Sequence, residues 1–216
     1  MKPLVVCIKV GDTYGPEYVN RLATMVARQT TVPYSFVCLT DNADGVTVPT
    51  EPIGTDLPGW WAKLMLFKPH QALVGRRIIF LDLDTLIVGN MDFLLQDTGA
   101  FTILRDFYRP LGYGSAVMAF DAGIYPQIWG NFLKPMMHTY HGDQNWIEAN
   151  IYEPAIWQDQ YPGKIVSYKV HCMAGVPADA SVVCFHGFPK QTDFPEEHWV
   201  RKVWEHDDRL ALARSA

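Results

Sequence analysis

The chain has 216 residues, 49% of them hydrophobic and 19% charged, with a formal net charge of −5 at pH 7. This length and apolar content suit one domain with a substantial core that needs neither disulfides nor a structural metal to fold. The negative charge and the scattered Lys and Arg argue against nucleic acid or an anionic membrane as the main partner.

The cysteines lie in apolar, strand-like surroundings, and no two of them form a CxxC pair: Cys7, Cys38, Cys172 and Cys184. We expect buried free thiols, which indicate a reducing compartment and a cytoplasmic protein. The first strand is predicted to start near Pro3, which leaves no room for a signal peptide, and no apolar run reaches the length of a transmembrane helix.

The first elements have a β-α-β pattern. Leu4–Ile8 is predicted to be a buried strand, and a glycine-containing turn follows it. Pro16 suits the first helical turn, and apolar residues recur at i, i+3, i+4 and i+7 from Val19. Tyr34–Thr40 is predicted to be the second strand, so the chain begins as a mostly parallel sheet with a right-handed crossover.

Alternating elements continue to the end of the chain. Val46–Gly59, rich in Pro and Gly, is predicted to be a loop. Helices are predicted at Trp60–Phe67, Ile124–Phe132, Asp143–Ala149 and Glu196–Ala213, with a short helix or turn at Met91–Leu95. Strands are predicted at Ile78–Leu81, Phe101–Leu104, Ala116–Phe120, Ile165–Tyr168 and Ser181–Phe185. With neither an internal repeat nor a linker in the sequence, residues 1–216 are predicted to form a single α/β domain.

The strand Ile78–Leu81 is apolar on consecutive positions and then ends in Asp82-Leu83-Asp84. Such a strand is buried on both faces, and unpaired carboxylates are too costly for the core. At the carboxyl edge of an open α/β sheet, where ligands bind, Asp82 and Asp84 suit a hard divalent cation. The alternative is that both residues only terminate a turn.

A second alternative is the nucleophile motif of haloacid-dehalogenase phosphatases, which also places Asp-x-Asp after a strand. That motif continues with Gly-Thr and usually opens the chain. Here Leu83-Asp84-Thr85 lacks the glycine, and a complete β-α-β unit precedes it.

Other polar residues also follow predicted strands. His186 comes directly after Ser181–Phe185, and a neutral imidazole can complete a carboxylate metal site. Lys190, four residues later, suits phosphate oxygens as a point charge. Asp41 follows the second strand and suits a hydrogen bond to a base or ribose, although a turn role is equally consistent. Two strand-end acids, a histidine and nearby lysines together suit a metal and a diphosphate.

Six segments in the same order resemble the GT-A-fold glycosyltransferases: GDTY, WWAKL, FLDLDT, GYGSAVMAF, HGDQNWI and HGFPK. The chain is most similar to the retaining, metal-dependent type that includes glycogenin and the bacterial lipopolysaccharide galactosyltransferases. The resemblance extends from about Val5 to Lys190. It departs at Val10 and Gly11, where the family more often has hydroxyl and amide side chains, and the family's HxxGxxK is shortened to HGFPK.

The resemblance implies a GT-A-like, Rossmann-type, mostly parallel sheet flanked by helices, and it implies a role for each matching residue. A divalent metal, Mn²⁺ or Mg²⁺, would be held by Asp82, Asp84 and His186. The nucleoside pocket would be lined by Ile8, Val10 and Tyr14, with Tyr14 against the base.

The resemblance also implies the residues around the donor sugar and its leaving group. The sugar would be contacted by Lys63 and Asp106 and bordered by Gly114 and Ser115. The reacting carbon would face Asp143 and Gln144, and the diphosphate would meet Lys190.

The sequence therefore predicts transfer of a sugar from a nucleotide-sugar, most simply a UDP-sugar, to a hydroxyl acceptor that is a glycan, a lipid-linked sugar or a small molecule. A nucleotidyl- or phosphoryl-transfer enzyme with the same acid pair, and a nucleotide-sugar-binding module without turnover, remain alternatives. The family pattern implies retention at the anomeric carbon. Retention is open to a covalent intermediate on Asp143 or Asp106, or to same-face attack in which the diphosphate takes the acceptor proton, which we favour.

Overall fold

The computed structural model describes residues 2–206, and its central feature is a seven-stranded sheet in the order β3-β2-β1-β4-β7-β6-β8. The strands are β1 Leu4–Lys9, β2 Ser35–Thr40, β3 Thr50–Pro52, β4 Arg77–Leu81, β6 Phe101–Arg105, β7 Tyr113–Asp121 and β8 Ala155–Ile156. β1 is parallel to β2 and β4, β2 to β3, and β6 to β8. β7 runs antiparallel to both of its neighbours, β4 and β6, so it opposes the other six strands.

Strand side chains alternate between two apolar cores, one on each face of the sheet. In β4, Ile79 and Leu81 belong to one core, whereas Ile78 and Phe80 belong to the other. All four side chains are at most 1% exposed. This burial on both faces explains why β4 has a continuous apolar sequence instead of an alternating one.

Helices cover both faces of the sheet. They are α1 Pro16–Arg28, α2 Asp92–Leu95, α3 Gln127–Gly130, α4 Asp143–Asn150, α5 Trp157–Gln160, α6 Tyr168–His171 and α7 Trp199–Glu205, with 3-10 helices at Gly59–Phe67, Lys134–His138 and Gln191–Asp193. The core of one face includes residues of α1 and α7, and the core of the other includes residues of Gly59–Phe67, α3 and α4.

A second, three-stranded sheet explains how distant parts of the sequence reach one site. It contains β5 Leu86–Ile87, β9 Ile165–Ser167 and β10 Val182–Cys184, in the order β5-β10-β9. β5 starts just after Asp84 and pairs antiparallel with β10, which leads to His186. The turn containing Asp82 and Asp84 therefore connects the two sheets, and the β5–β10 pairing brings the histidine segment beside it.

The predicted α/β class and the mostly parallel central sheet are confirmed, as are the four buried free cysteines. Several local predictions were wrong. The predicted loop Val46–Gly59 contains edge strand β3, whose Pro52 is tolerated because an edge strand leaves N–H positions unpaired. The predicted helix Ile124–Phe132 is reduced to α3, because Tyr125 has a φ of 51°, outside the helical region.

The predicted strands Ile165–Tyr168 and Ser181–Phe185 correspond to β9 and β10, which belong to the second sheet and not to the central one. The predicted C-terminal helix Glu196–Ala213 corresponds to α7 Trp199–Glu205, and residues 207–213 lie outside the described part. Within residues 2–206, none of the helices is both long enough and apolar enough to cross a membrane.

Candidate active site

A cavity of about 670 Å³ opens at the carboxyl end of β1 and β4. It is lined by almost all of the residues predicted from the sequence: Ile8, Val10, Tyr14, Lys63, Asp82, Asp84, Asp106, Gly114, Ser115, Asp143, Gln144, His186 and Lys190. Asp41 is the exception. Its carboxylate is exposed and accepts a hydrogen bond from Gly11 N at 2.9 Å, which braces the turn after β1.

Lys63 lies at the centre of a buried polar network and is only 6% exposed. Its Nζ lies 2.9 Å from Asp82 Oδ1 and 3.2 Å from Asp143 Oδ2. It also donates to Ser115 Oγ at 3.0 Å, and Ser115 in turn donates to Asp143 Oδ2 at 2.6 Å. The lysine and the serine thus join the end of β4 to the start of α4.

The network shifts the proton affinities of its members. Burial, together with the neighbouring charges of Asp84 and Asp143, raises the pKa of Asp82 to about 7 against the opposing effect of Lys63. Burial opposes the charged form of Lys63 as well, but the two carboxylates outweigh burial and raise its pKa. Asp82 keeps 30% of its side-chain surface exposed, so it remains accessible from the cavity.

Asp84 is held by three side chains from two distant parts of the chain. Tyr14 donates its hydroxyl to Asp84 Oδ2 at 3.0 Å, and Lys190 forms an ion pair with the same oxygen. Gln191 donates to the main-chain oxygen of Asp84 at 2.5 Å. Burial and the charge of Asp84 together raise the pKa of Tyr14, which stays a neutral hydrogen-bond donor.

His186 lines the same cavity, with its ring against two aromatic side chains. Its ring centroid lies 5.3 Å from that of Phe107 and 5.9 Å from that of Tyr108. Burial lowers the pKa of His186 and therefore favours the neutral imidazole, the form that binds metals. Among the described residues, its buried Nε2 has no hydrogen-bond partner.

The donor set suits a divalent metal because two carboxylates and a neutral imidazole line one cavity, and the imidazole offers an unpaired nitrogen. In residues 2–206, however, no group of three His, Cys, Asp or Glu side chains is already gathered around a metal position. The metal assignment of Asp82, Asp84 and His186 therefore remains a prediction.

Asp106 is fully engaged in hydrogen bonds. Its Oδ1 accepts from Tyr108 N at 2.8 Å and Arg109 N at 3.1 Å. Its Oδ2 accepts from Arg109 Nε at 3.0 Å and from Gln144 Nε2 at 3.2 Å. Although burial opposes it, these bonds lower the pKa of Asp106. A carboxylate saturated in this way is better suited to orient Gln144 than to act as a nucleophile.

Sequence reasoning missed the aromatic rim of the cavity. Trp60, Tyr108 and Phe188 line the cavity with side chains that are 61%, 58% and 78% exposed. Trp60 packs on Gly142, where an added Cβ would lie 3.4 Å from the indole nitrogen. Their position in the sequence could have identified these aromatic residues, because each of them lies within three residues of a predicted site residue.

Comparison with known proteins shows the fold. No family model and no curated protein matches the chain, but solved structures do. The glycosyltransferase GlyE of Streptococcus pneumoniae TIGR4 superimposes with a TM-score of 0.70 at 12% identity, over 99% of this chain and 62% of that one. The chain thus spans less than two thirds of GlyE.

Two further structures agree. The galactosyltransferase LgtC, solved in complex with donor and acceptor sugar analogs, has a TM-score of 0.65 at 12% identity, over 97% of this chain and 95% of that one. The bifunctional glycosyltransferase WbbM has a TM-score of 0.62 at 11% identity, over 88% and 46% of the two chains. The chain therefore has the GT-A-type fold of glycosyltransferases, as its sequence motifs predict.

Proposed function

We propose that the protein is a glycosyltransferase that moves a sugar from a nucleotide-sugar, most simply a UDP-sugar, to a hydroxyl acceptor. The observation that supports this most strongly is the cavity itself. Side chains from seven separate segments, including the ends of β1, β4 and β10 and the start of α4, line one space at the carboxyl edge of a GT-A-type sheet.

Each side of the cavity has a distinct proposed task. Ile8, Val10 and Tyr14 supply an apolar wall for the nucleoside. Lys190 places positive charge beside Asp84, where a diphosphate would bind. Asp82, Asp84 and His186 would hold Mn²⁺ or Mg²⁺, which as a Lewis acid would offset charge on the departing diphosphate.

We further propose retention at the anomeric carbon, with the acceptor hydroxyl attacking on the face that the diphosphate leaves. A covalent intermediate needs a free carboxylate nucleophile. Asp143 Oδ2 is held by Lys63 and Ser115, and both oxygens of Asp106 already accept hydrogen bonds. Gln144 then steadies the developing positive charge, and an oxygen of the leaving diphosphate takes the acceptor proton.

The acceptor side of the proposal depends on the exposed aromatic rim. Planar rings at a cavity mouth suit the apolar faces of a sugar ring, so we propose that Trp60, Tyr108 and Phe188 receive a glycan or glycoside acceptor. The buried free thiols favour a reducing compartment, which supports a cytoplasmic site of action.

The experiment measures UDP release from UDP-glucose and UDP-galactose with Mn²⁺, with and without chelator. We expect release that chelator abolishes and added Mn²⁺ restores. Full activity in chelator contradicts the metal assignment. Binding of UDP without any release from either donor supports a binding module instead.

The stereochemical proposal has its own measurement, which is NMR of the first-formed product from an α-linked donor. An α-linked product is expected. A β-linked product overturns retention, and the search for a catalytic base then moves to Asp106. The sequence also offered Asp121 and Glu148, but Asp121 lies beside Arg77 at the other end of β4 and Glu148 does not line the cavity.

A further inference from the structure

The connection between β6 and β7, residues 106–112, is tied to helix α4 by Arg109. The Nε of Arg109 lies 3.0 Å from Asp106 Oδ2, and one terminal nitrogen lies 3.0 Å from Glu148 Oε2. Glu148 Oε2 also accepts from Tyr113 N at 3.2 Å. One guanidinium and one glutamate therefore join the connection, the first residue of β7 and α4.

The contacts of Arg109 lead through Asp106 to Gln144, which faces the reacting carbon in the proposed reaction. Asp106 Oδ2, which accepts from Arg109, also accepts from Gln144 Nε2 at 3.2 Å. The side chain of Gln144 is directed by Asp106. Asp106 is held at Oδ1 by the main-chain N–H groups of Tyr108 and Arg109, and at Oδ2, the oxygen that Gln144 contacts, by the Arg109 guanidinium. The arginine thus acts on the site through a carboxylate and does not itself line the cavity.

Gly112, in the same connection, leaves space for the Arg109 side chain against the main chain. A Cβ added at Gly112 would lie 2.8 Å from Arg109 Cζ, a distance that real Cβ atoms essentially never show. Gly112 N donates to Arg109 O at 2.8 Å, which closes the turn. The guanidinium therefore lies against the main chain at a position where any residue other than glycine would displace it.

The same connection also contacts the histidine side of the cavity. Phe107 and Tyr108, the two residues before Arg109, place their rings against His186. Displacement of the connection would disturb Gln144 on one side and the surroundings of His186 on the other.

We propose that Arg109 and Glu148 are positioning residues for glycosyl transfer, which hold residues 106–112 against α4 and thereby fix Gln144. This inference rests on the proposed function. It predicts that the two residues act on the rate of the chemical step more than on donor binding, because neither of them lines the donor cavity.

The experiment compares Arg109→Gln, Glu148→Gln, the double variant and Gly112→Ala. The assay is UDP release with Mn²⁺, from whichever of UDP-glucose and UDP-galactose the wild-type protein turns over faster. We expect kcat to fall by about 10- to 100-fold, as small misplacements of a reacting group do. KM for the donor should change by less than about threefold, and the double variant should be less impaired than the product of the two single effects.

Two controls separate positioning from stability. Arg201→Gln removes an arginine–glutamate pair on α7, outside the cavity, and should leave kcat unchanged. The midpoints of thermal unfolding of the Arg109 and Glu148 variants should fall by no more than about 4 °C, because partly exposed ion pairs contribute little. Arg109→Lys keeps the charge without the two-pronged geometry and should recover only part of the rate.

Wild-type kcat in both Arg109→Gln and Gly112→Ala would overturn the inference. A loss of rate matched by an equal loss of folded protein would overturn it as well, because the pair would then be only structural. Absence of UDP release by the wild-type protein, with both donors, would instead overturn the proposed transfer reaction and this inference with it.

Discussion

The two ends of strand β4 hold similar polar groups in different settings. At its start, Arg77 forms an ion pair with Asp97, and its guanidinium lies 3.5 Å from Asp121 Oδ1. The Thr102 hydroxyl donates a hydrogen bond to Asp97 at 2.9 Å. After its end, Lys63 is shared between Asp82 and Asp143, and the Ser115 hydroxyl bonds to Asp143. Each end thus has a cation, two aspartates and a hydroxyl.

Cavity size does not distinguish the two ends, since the cavity beside Arg77 has about 610 Å³ and the one beside Lys63 has about 670 Å³. Charge does distinguish them, and so does the exposure of the aspartate that lies nearest to each cation. The side chain of Asp97 is 4% exposed and that of Asp82 is 30% exposed, although Asp121, farther from Arg77, is 77% exposed. At the Lys63 end, Asp82, Asp84 and Asp143 share two lysines, Lys63 and Lys190, which leaves an excess of negative charge for a cation.

The largest expected effect comes from comparing Asp84→Asn with Asp97→Asn. Asp84→Asn removes a carboxylate from the proposed metal site, so turnover should fall by about 10²- to 10³-fold, and Mn²⁺-dependent UDP binding should weaken, with the fold intact. Asp97→Asn leaves Arg77 without its buried partner and should lower the free energy of unfolding by about 3 kcal/mol, with little change in turnover per folded molecule.

Steady-state UDP release, calorimetric titration of UDP with Mn²⁺, and urea unfolding measure these effects. Equal losses of activity per folded molecule in the two variants would remove the functional distinction between the ends of β4.

The next comparison is Lys63→Met against Arg77→Met. Each substitution leaves aspartates without their buried cation, and each should lower the free energy of unfolding by about 3 kcal/mol. We expect a divalent cation to replace the missing charge near Asp82 and Asp143, because Asp84 adds a third carboxylate to that cavity. Added Mn²⁺ should therefore restore stability to Lys63→Met but not to Arg77→Met.

Thermal unfolding at increasing Mn²⁺ concentration measures this restoration. An identical response of the two variants to Mn²⁺ would show that the excess negative charge at the Lys63 end does not bind the ion.

The sequence predicted which residues line the cavity better than it predicted the local elements around them. The apolar run ending at Asp82 and Asp84, and the one ending at His186, are local patterns that report burial followed by a strand end. Asp82 and Asp84 reach the carboxyl edge of the central sheet because strand ends of one direction meet there. His186 reaches them through the pairing of β10 with β5 in the second sheet. Of the predicted residues, only Asp41 lies outside the cavity, where it braces a turn, and the roles of the others stay predictions.

What the sequence could not predict depends on pairing between distant segments. Nothing local reveals that β7 runs against its neighbours, or that β5 pairs with β10 nearly a hundred residues later. The burial of Lys63 was hidden for the same reason, since a lysine on a short helix is usually solvated. Its partners Asp82 and Asp143 come from separate elements, so only the assembled fold shows that it is a buried counter-ion.

The smallest expected effect concerns the aromatic rim, through Trp60→Ala and its control Tyr152→Ala. Both side chains are largely exposed, but only Trp60 lines the cavity. A stacked aromatic contributes about 0.5–1.5 kcal/mol beyond its buried area, so Trp60→Ala should raise KM for a glycoside acceptor by about 3- to 10-fold. KM for the donor and donor hydrolysis without acceptor should stay at wild-type values, because Trp60 is assigned to the acceptor alone.

Transfer kinetics with a panel of simple glycosides, at saturating donor, measure the acceptor KM. A rise in donor KM equal to the rise in acceptor KM would assign Trp60 to the donor pocket. An equal effect of Tyr152→Ala would show that general loss of exposed aromatic surface, and not stacking at the cavity mouth, accounts for the change.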